Sequence, residues 1–245
     1  MDGRAPNSRT MGRVFEKRKH TMFARFDKMA KAFTRIGKDI AIAVKQGGPL
    51  PENNPKLRAV IQNAKGVNMP KDRVEAAIRR ASSKEEKDFQ EVIYEGYAPH
   101  GVPVIVECAT DNPTRTVANI RLHFSKNGGS MGNSGSVAFL FERKGVFKFN
   151  PAVLPLDELE LDLIDAGAED IQRDDEEIII YTKFSEFGHM LKFLESKGLE
   201  PKSSGLQYIP TTTKELSEAE QDEVLKCVEA LESDDDVQSV YHNLA

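Results

Sequence analysis

The chain has no tryptophan, two cysteines in 245 residues, and no apolar run approaching the roughly 20 residues that span a bilayer. The last absence argues against a helical membrane protein. Cys108 and Cys227 are too few and too far apart for a disulfide scaffold. Cys108 sits in an apolar stretch and Cys227 in a helical pattern, so both read as buried free thiols in a reducing cytoplasm. The polar, Arg-bearing N-terminus carries no apolar h-region, and no secretory signal is expected. Its first ten residues, MDGRAPNSRT, read as unstructured extension, with Met11 as an alternative start. The histidines are His20, His100, His123, His189 and His242. None has a metal-ligand spacing or sits in a catalytic pattern. The expectation is a protein without metal, cofactor or small-molecule substrate, and not an enzyme.

Charge is the most informative feature present. The net charge is −5, yet residues 1–80 hold 19 of the 34 Lys and Arg and only 7 of the 39 Asp and Glu. That part is therefore +12 and the remainder −17. One end suits a polyanion and the other repels it.

The basic end reads as three helices. Met22, Phe26, Met29, Phe33, Ile36 and Ile40 recur at spacings of 4 and 3, the stripe of an amphipathic helix. Lys28, Lys31, Arg35, Lys38 and Lys45 fall on its other side, with Arg25 at the border. Between residues 25 and 45 only Asp27 and Asp39 are acidic. A merely solvated face would carry both signs, so this one reads as seeking phosphates. The lead before it contains Arg13, Lys17, Arg18, Lys19 and His20 beside Phe15 and Phe23. It lacks apolar anchors and is expected to be flexible until a phosphate-rich partner orders it. Gly47 and Gly48 end the helix. Asn54 and Pro55 open a second, and Asn68 and Pro70 mark a third with Val74, Ala77, Ile78 and Ala81 inward.

The remainder alternates strand and helix in an α+β pattern. Strands are expected at Val92–Tyr97 and Val102–Ala109. Asn112 then caps a helix with Pro113 in its first position and Val117, Ile120 and Phe124 inward. Asp111 with Arg115 and Thr116 could form a small polar site, but capping explains these residues more simply. GGSMGNSGS matches neither a phosphate loop nor a dinucleotide fingerprint, since it leads into a strand and lacks Gly-Lys-Ser/Thr. It reads as a flexible connector. Val137–Phe141 and Val146–Phe149 are expected to pair around ERKG. A helix over Leu156–Asp165 and strands at Glu169–Gln172 and Ile178–Tyr181 come next. They are followed by a helix over Phe184–Ser196, a strand in LQYIPTTTKEL, a helix opened by the Ser217/Glu220 capping box, and a final strand in DVQSVYHNL. Residues 151–177 hold 11 acids and one base, Arg173, a face that repels polyanions.

Two long stretches carry a resemblance. They are FTRIGKDIAIAVKQGGPLPENNPKLRAVIQNAKGVNMPKDRVEAAIRRA and YEGYAPHGVPVIVECATDNPTRTVANIRLHFSKNGGSMGNSGSVAFLFERKGVF. In this order the chain resembles the YebC/PmpR family, whose eukaryotic relatives include the mitochondrial translational activator of cytochrome c oxidase. The resemblance implies a helical domain over 22–89 behind a flexible arm, 1–21. It also implies a discontinuous middle domain, 90–133 and 206–245, with an α+β domain inserted at 134–205. It further implies a DNA-binding transcriptional regulator, or a ribosome- or ribosomal-RNA-associated factor that relieves translational stalling. Many relatives begin with a Ser-Lys-Trp segment, which this chain replaces with GRVFEKRKHTMFARFDK.

Overall fold

The computed structural model describes residues 8–83 and 88–245, with side chains from Lys28 onward. The protein is α+β: an N-terminal helical unit followed by two four-stranded antiparallel sheets, each carrying two helices.

Helices α1 (Ser8–Gly47), α2 (Pro55–Gly66) and α3 (Lys71–Ala81) enclose Ile36, Ile40, Ala43, Val44, Leu57, Val60, Ala64 and Val74. Because α1 begins at Ser8, the backbone of 8–21 is helical, which corrects the expectation of an unstructured start and a flexible lead there. Asn54 joins the first two. Its Oδ1 accepts from the Leu57 amide at 3.0 Å, capping α2 as its sequence position suggests. Its Nδ2 donates to the carbonyls of Ala43 and Gly48 at 2.7 and 2.9 Å. One correction arises at Asn68. It does not start α3 but closes α2, in the left-handed region at φ 56°. The Asn68 amide bonds the Lys65 carbonyl and the Met69 amide that of Ala64. That is the helix-ending pattern in which Asn substitutes for Gly.

The first sheet has the order β3-β1-β2-β8. Strands β1 (Gln90–Ala98) and β2 (Val102–Thr110) form a hairpin, β3 (Ser130–Met131) lies outside β1, and β8 (Val237–His242) pairs with β2. Alternation sends Val104, Val106 and Cys108 to one face, where α4 (Pro113–Lys126) and α7 (Glu218–Glu232) supply Ile120, Phe124, Val224 and Leu231. Burial raises both thiols, Cys108 to about 12 and Cys227 to about 11, and keeps them protonated.

The second sheet, β5-β6-β4-β7, uses β4 (Phe141–Phe149), β5 (Ala168–Arg173), β6 (Ile178–Lys183) and β7 (Ser203–Pro210). Helices α5 (Leu156–Asp165) and α6 (Phe187–Ser196) cover Phe147, Phe149, Ile178 and Ile180. The expected hairpin around ERKG is absent. Those residues lie inside β4, and Ala138–Leu140 forms a short 3-10 turn instead of a strand. Gly145, read as a turn residue, pairs with Thr182 on one side and Leu206 on the other. A Cβ there would run into Thr182 Oγ1 and the Phe187 ring. Glycine serves close packing here rather than a turn. Strand β7 begins at Ser203, so the boundary at 205/206 falls inside it.

The Gly-rich connector is pinned at its far end. Glu95 is buried on β1, and its carboxylate accepts from the amides of Gly135, Val137 and Ala138 at 2.7–2.9 Å. Burial raises its pKa, but the three amides outweigh burial and leave it below its ordinary value. The amides that would cradle a phosphate are occupied by the protein's own carboxylate.

Candidate nucleic-acid interface

Helix α1 carries the cationic residues that the sequence marks, and the structure divides them. Arg13, Lys17, Arg18, Lys19 and Arg25 lie outside the residues whose side chains are described. Lys28 and Lys31 are exposed, with no ion or hydrogen-bond partner among the described residues. Lys45 is exposed and pairs with Asp88 at 2.7 Å.

Arg35 and Lys38 go elsewhere. Arg35 donates from Nε to the Val237 carbonyl and from a terminal nitrogen to the Glu232 carbonyl, both at 3.1 Å. Lys38 is 8% exposed. Its ammonium donates to Asp236 Oδ1 at 2.8 Å, the Asp235 carbonyl at 2.7 Å and the Ala109 carbonyl at 2.9 Å. All three of its N–H groups are engaged. The expectation that Lys38 meets phosphate is therefore corrected. The basic side of α1 is solvent-facing near Lys28 and Lys31, but by Lys38 it lies against β2 and the entry to β8. Burial of every residue from Ile40 to Val44 shows the same two-sided packing.

Asp236 is the centre of this junction. Besides Lys38, its carboxylate receives Arg115 at 2.7 Å, Thr116 Oγ1 at 2.8 Å and Thr110 Oγ1 at 3.2 Å. Burial alone would raise its pKa, but the hydrogen bonds from Arg115, Lys38 and Thr116 hold it well below the ordinary carboxylate range. The Asp111–Arg115–Thr116 group belongs to the same network: Arg115 bridges Asp111 at 3.0 Å and Asp236. Asn112, not Asp111, caps α4 by accepting from the Arg115 amide at 3.1 Å. The chemistry here joins α1, β2, α4 and β8 rather than presenting a nucleophile to solvent. Among the described residues no group of three or more His, Cys, Asp or Glu is placed to hold a metal. Nor is any described helix long and apolar enough to cross a membrane.

The basic residues of α3 suit phosphates by sequence, but none was assigned there to the site. On α3, Lys71, Arg73, Arg79 and Arg80 are all exposed. The Arg73 guanidinium lies 5.6 Å from the centre of the Phe33 ring, which brings Arg73 against α1 two residues from Lys31, whereas Lys71 and Arg79 lie on the side of α3 that carries Glu75. The repeated Arg and Lys of KDRVEAAIRRA were the available signal; the adjacency of Arg73 to α1 depends on how the helices pack. Lys71 and Arg79 approach Glu75 only at 3.8 and 3.9 Å.

Both parts of the chain match known families. The pattern described as TACO1/YebC protein N-terminal domain matches residues 13–84, and that described as TACO1/YebC second and third domain matches 89–244. The chain belongs to the TACO1/YebC family. A relative from Myxococcus xanthus is 55% identical over 240 residues, spanning 96% of this chain and all of the relative. One from Anaeromyxobacter dehalogenans is 57% identical with the same coverage. Both are named probable transcriptional regulatory protein. A solved structure, a conserved hypothetical protein from Aquifex aeolicus, is 40% identical with a TM-score of 0.78, covering 88% of this chain and 90% of that one. In this TACO1/YebC chain the helical unit touches both sheets. Lys38 holds it to the first. Asn63 on α2 holds it to the second, its side chain donating to the Ser204 carbonyl and accepting from the Ser204 amide, each at 2.8 Å.

Proposed function

We propose that the protein is a non-enzymatic regulator of gene expression that binds nucleic acid through phosphate contacts. These come from the N-terminal part of α1, which carries the basic lead, and from Arg73 on α3 beside it. The observation that carries this reading is the pair Lys28 and Lys31, exposed and without partners among the described residues, with Arg73 of α3 against α1 two residues away. Further along the same helix, Arg35 and Lys38 are consumed by the first sheet. The anchored half of α1 fixes the direction in which the cationic half projects. The name shared by the relatives supports a regulatory role.

DNA is the target that name suggests. A second reading, ribosomal or other structured RNA, is favoured by the position of α2. A helix that reads bases must enter a major groove, and α2 is packed between α1 and β7, its Asn63 amide bonded to Ser204. Exposed Lys and Arg on α1 and α3 suit phosphates, which position a partner without specifying sequence. A competition experiment tests both. With labelled duplex as probe, unlabelled promoter DNA, random DNA and structured RNA are compared as competitors. A regulator of defined promoters prefers its site about a thousandfold over random DNA. An RNA-directed factor is displaced best by structured RNA. Absence of binding to any of them at low salt would overturn the proposal.

A further inference from the structure

Helix α5 presents two faces of different character. Leu163 is fully buried in the second core, and Leu156 and Leu159 pack against it. At about 100° per residue, Leu161 points almost directly away from that line. It is 78% exposed, and Ile164 beside it is 51% exposed. Asp157, Glu158 and Asp165 surround the two aliphatic side chains, and all three are exposed. Asp157 bridges Arg173 at 3.1 Å, while Glu158 and Asp165 have no cationic partner among the described residues. Acids on a solvent face are ordinary. Two neighbouring aliphatic side chains at the middle of that face, rimmed by carboxylates, mark a contact surface for a partner that is both apolar and basic.

The chain itself contains such a segment. Residues 13–31 hold seven Lys or Arg and only Glu16 and Asp27 as acids, interleaved with Phe15, Met22, Phe23 and Phe26. We propose that the Leu161–Ile164 face of α5 docks the basic, aromatic-bearing lead of a second copy of this chain. Reciprocal exchange makes two identical contacts and closes the assembly at two copies. The aromatic side chains cover Leu161 and Ile164, and Lys17, Arg18 and Lys19 meet the carboxylate rim. Because the same lead is assigned to phosphates above, nucleic acid and α5 compete for it, and the dimer is the form with its cationic arm withdrawn.

Sedimentation velocity of the full chain, over a range of concentrations at low salt, tests this. The expected result is a dimer that dissociates as salt rises. Leu161→Asp with Ile164→Asp should weaken dimerisation roughly tenfold or more, since the apolar contact is lost. Circular dichroism should be unchanged, because both side chains face solvent. Lys17→Glu, Arg18→Glu and Lys19→Glu together should have the same effect on association. Mixing these two variants restores one of the two contacts, and mixed dimers should form where neither variant alone dimerises. A monomer at every concentration in low salt, or an undiminished dimer in the α5 variant, would overturn the proposal. Phosphate binding is scored separately: the α5 variant should bind duplex at least as well as the parent, and failure of all nucleic-acid binding would leave the sedimentation result standing.

Discussion

Lys38 and Asp236 lie 198 positions apart in sequence and form a buried ion pair, Nζ to Oδ1 at 2.8 Å, with side chains 10% and 7% exposed. The pair joins the helical unit to the strand that completes the first sheet. Around it, two main-chain carbonyls complete the donors of Lys38, and Arg115 and Thr116 complete the acceptors of Asp236.

Removing one partner of a buried pair leaves the other uncompensated and costs about 3–5 kcal/mol. Lys38→Met and Asp236→Asn are each expected to lower the melting temperature and loosen α1 from β2 and β8. The folded carboxyl of Asp236 is depressed, so its contribution is fully present above the unfolded value of about 3.9 and is lost as pH falls through the folded value. The difference between parent and Asp236→Asn should therefore be constant at neutral pH and shrink only below about pH 4. Thermal melts across pH 2–8 check this. A difference that persists unchanged at pH 2 would contradict it.

Lys31 should behave in the opposite way to Lys38. Lys28→Glu with Lys31→Glu alters two exposed side chains and should leave the melt within about 0.5 kcal/mol of the parent. If both contact phosphates of a duplex, the slope of log K against log salt should become shallower by roughly 2, and affinity should fall for all sequences alike. Titrations at several salt concentrations measure it. An unchanged slope would move the polyanion to another surface, the α3 edge being the next to test.

Asp39 gives a pH dependence of opposite sign. Its carboxyl has no hydrogen-bond partner among the described residues. Burial is the main cause that raises its pKa to about 7; Glu91 and Glu107 raise it further, against Lys56 and Arg35. A raised acid binds a proton in the folded state that the unfolded chain has released, so stability falls as pH rises from about 4 to about 7 and then levels. Asp39→Asn mimics the protonated form. It should match the parent near pH 4 and exceed it at pH 8 by about 1–3 kcal/mol, each pKa unit being worth about 1.4 kcal/mol. Denaturant melts at the two pH values decide the matter, and equal stability at pH 8 would refute it.

Glu95→Gln keeps the shape of the side chain but removes the charge and turns a donor toward the amides of Gly135, Val137 and Ala138. A loss of about 1–3 kcal/mol is expected. Hydrogen exchange should quicken at residues 135–138 before it does in the core strands. If those amides remain as protected as in the parent, the carboxylate is not what pins the connector.

Much of the local structure was legible in the sequence because it depends on near neighbours. Asn54 and Asn112 cap the helices they precede, and Ser217 with Glu220 forms the capping box that its spacing announces. Helix α5 runs from Leu156 to Asp165, where its periodicity placed it. Short-range chemistry failed where one residue type serves two purposes. Asn68 can open a helix or close one, and only the carbonyls left behind by α2 select the second. Gly145 can make a turn or allow close packing, and the neighbours on both sides of β4 select packing.

The sequence by itself determined the α+β class, the basic helical start and the acidic remainder, because composition and period are properties of the chain. It also determined that α1 has an apolar stripe and a cationic one. Only the tertiary structure decided which of the described cations on α1 are buried against the sheet and which stay in water. A helical period identifies which residues share a face, but not how many faces are covered. Helix α1 is covered on one side by α2 and α3 and, in its second half, on the other by β2 and the entry to β8. Lys31 and Lys38 share that cationic stripe, two turns apart. Lys31 lies before the sheet and stays in water, whereas Lys38 reaches a carboxylate brought from 198 residues away, and burial then makes a structural anchor of it.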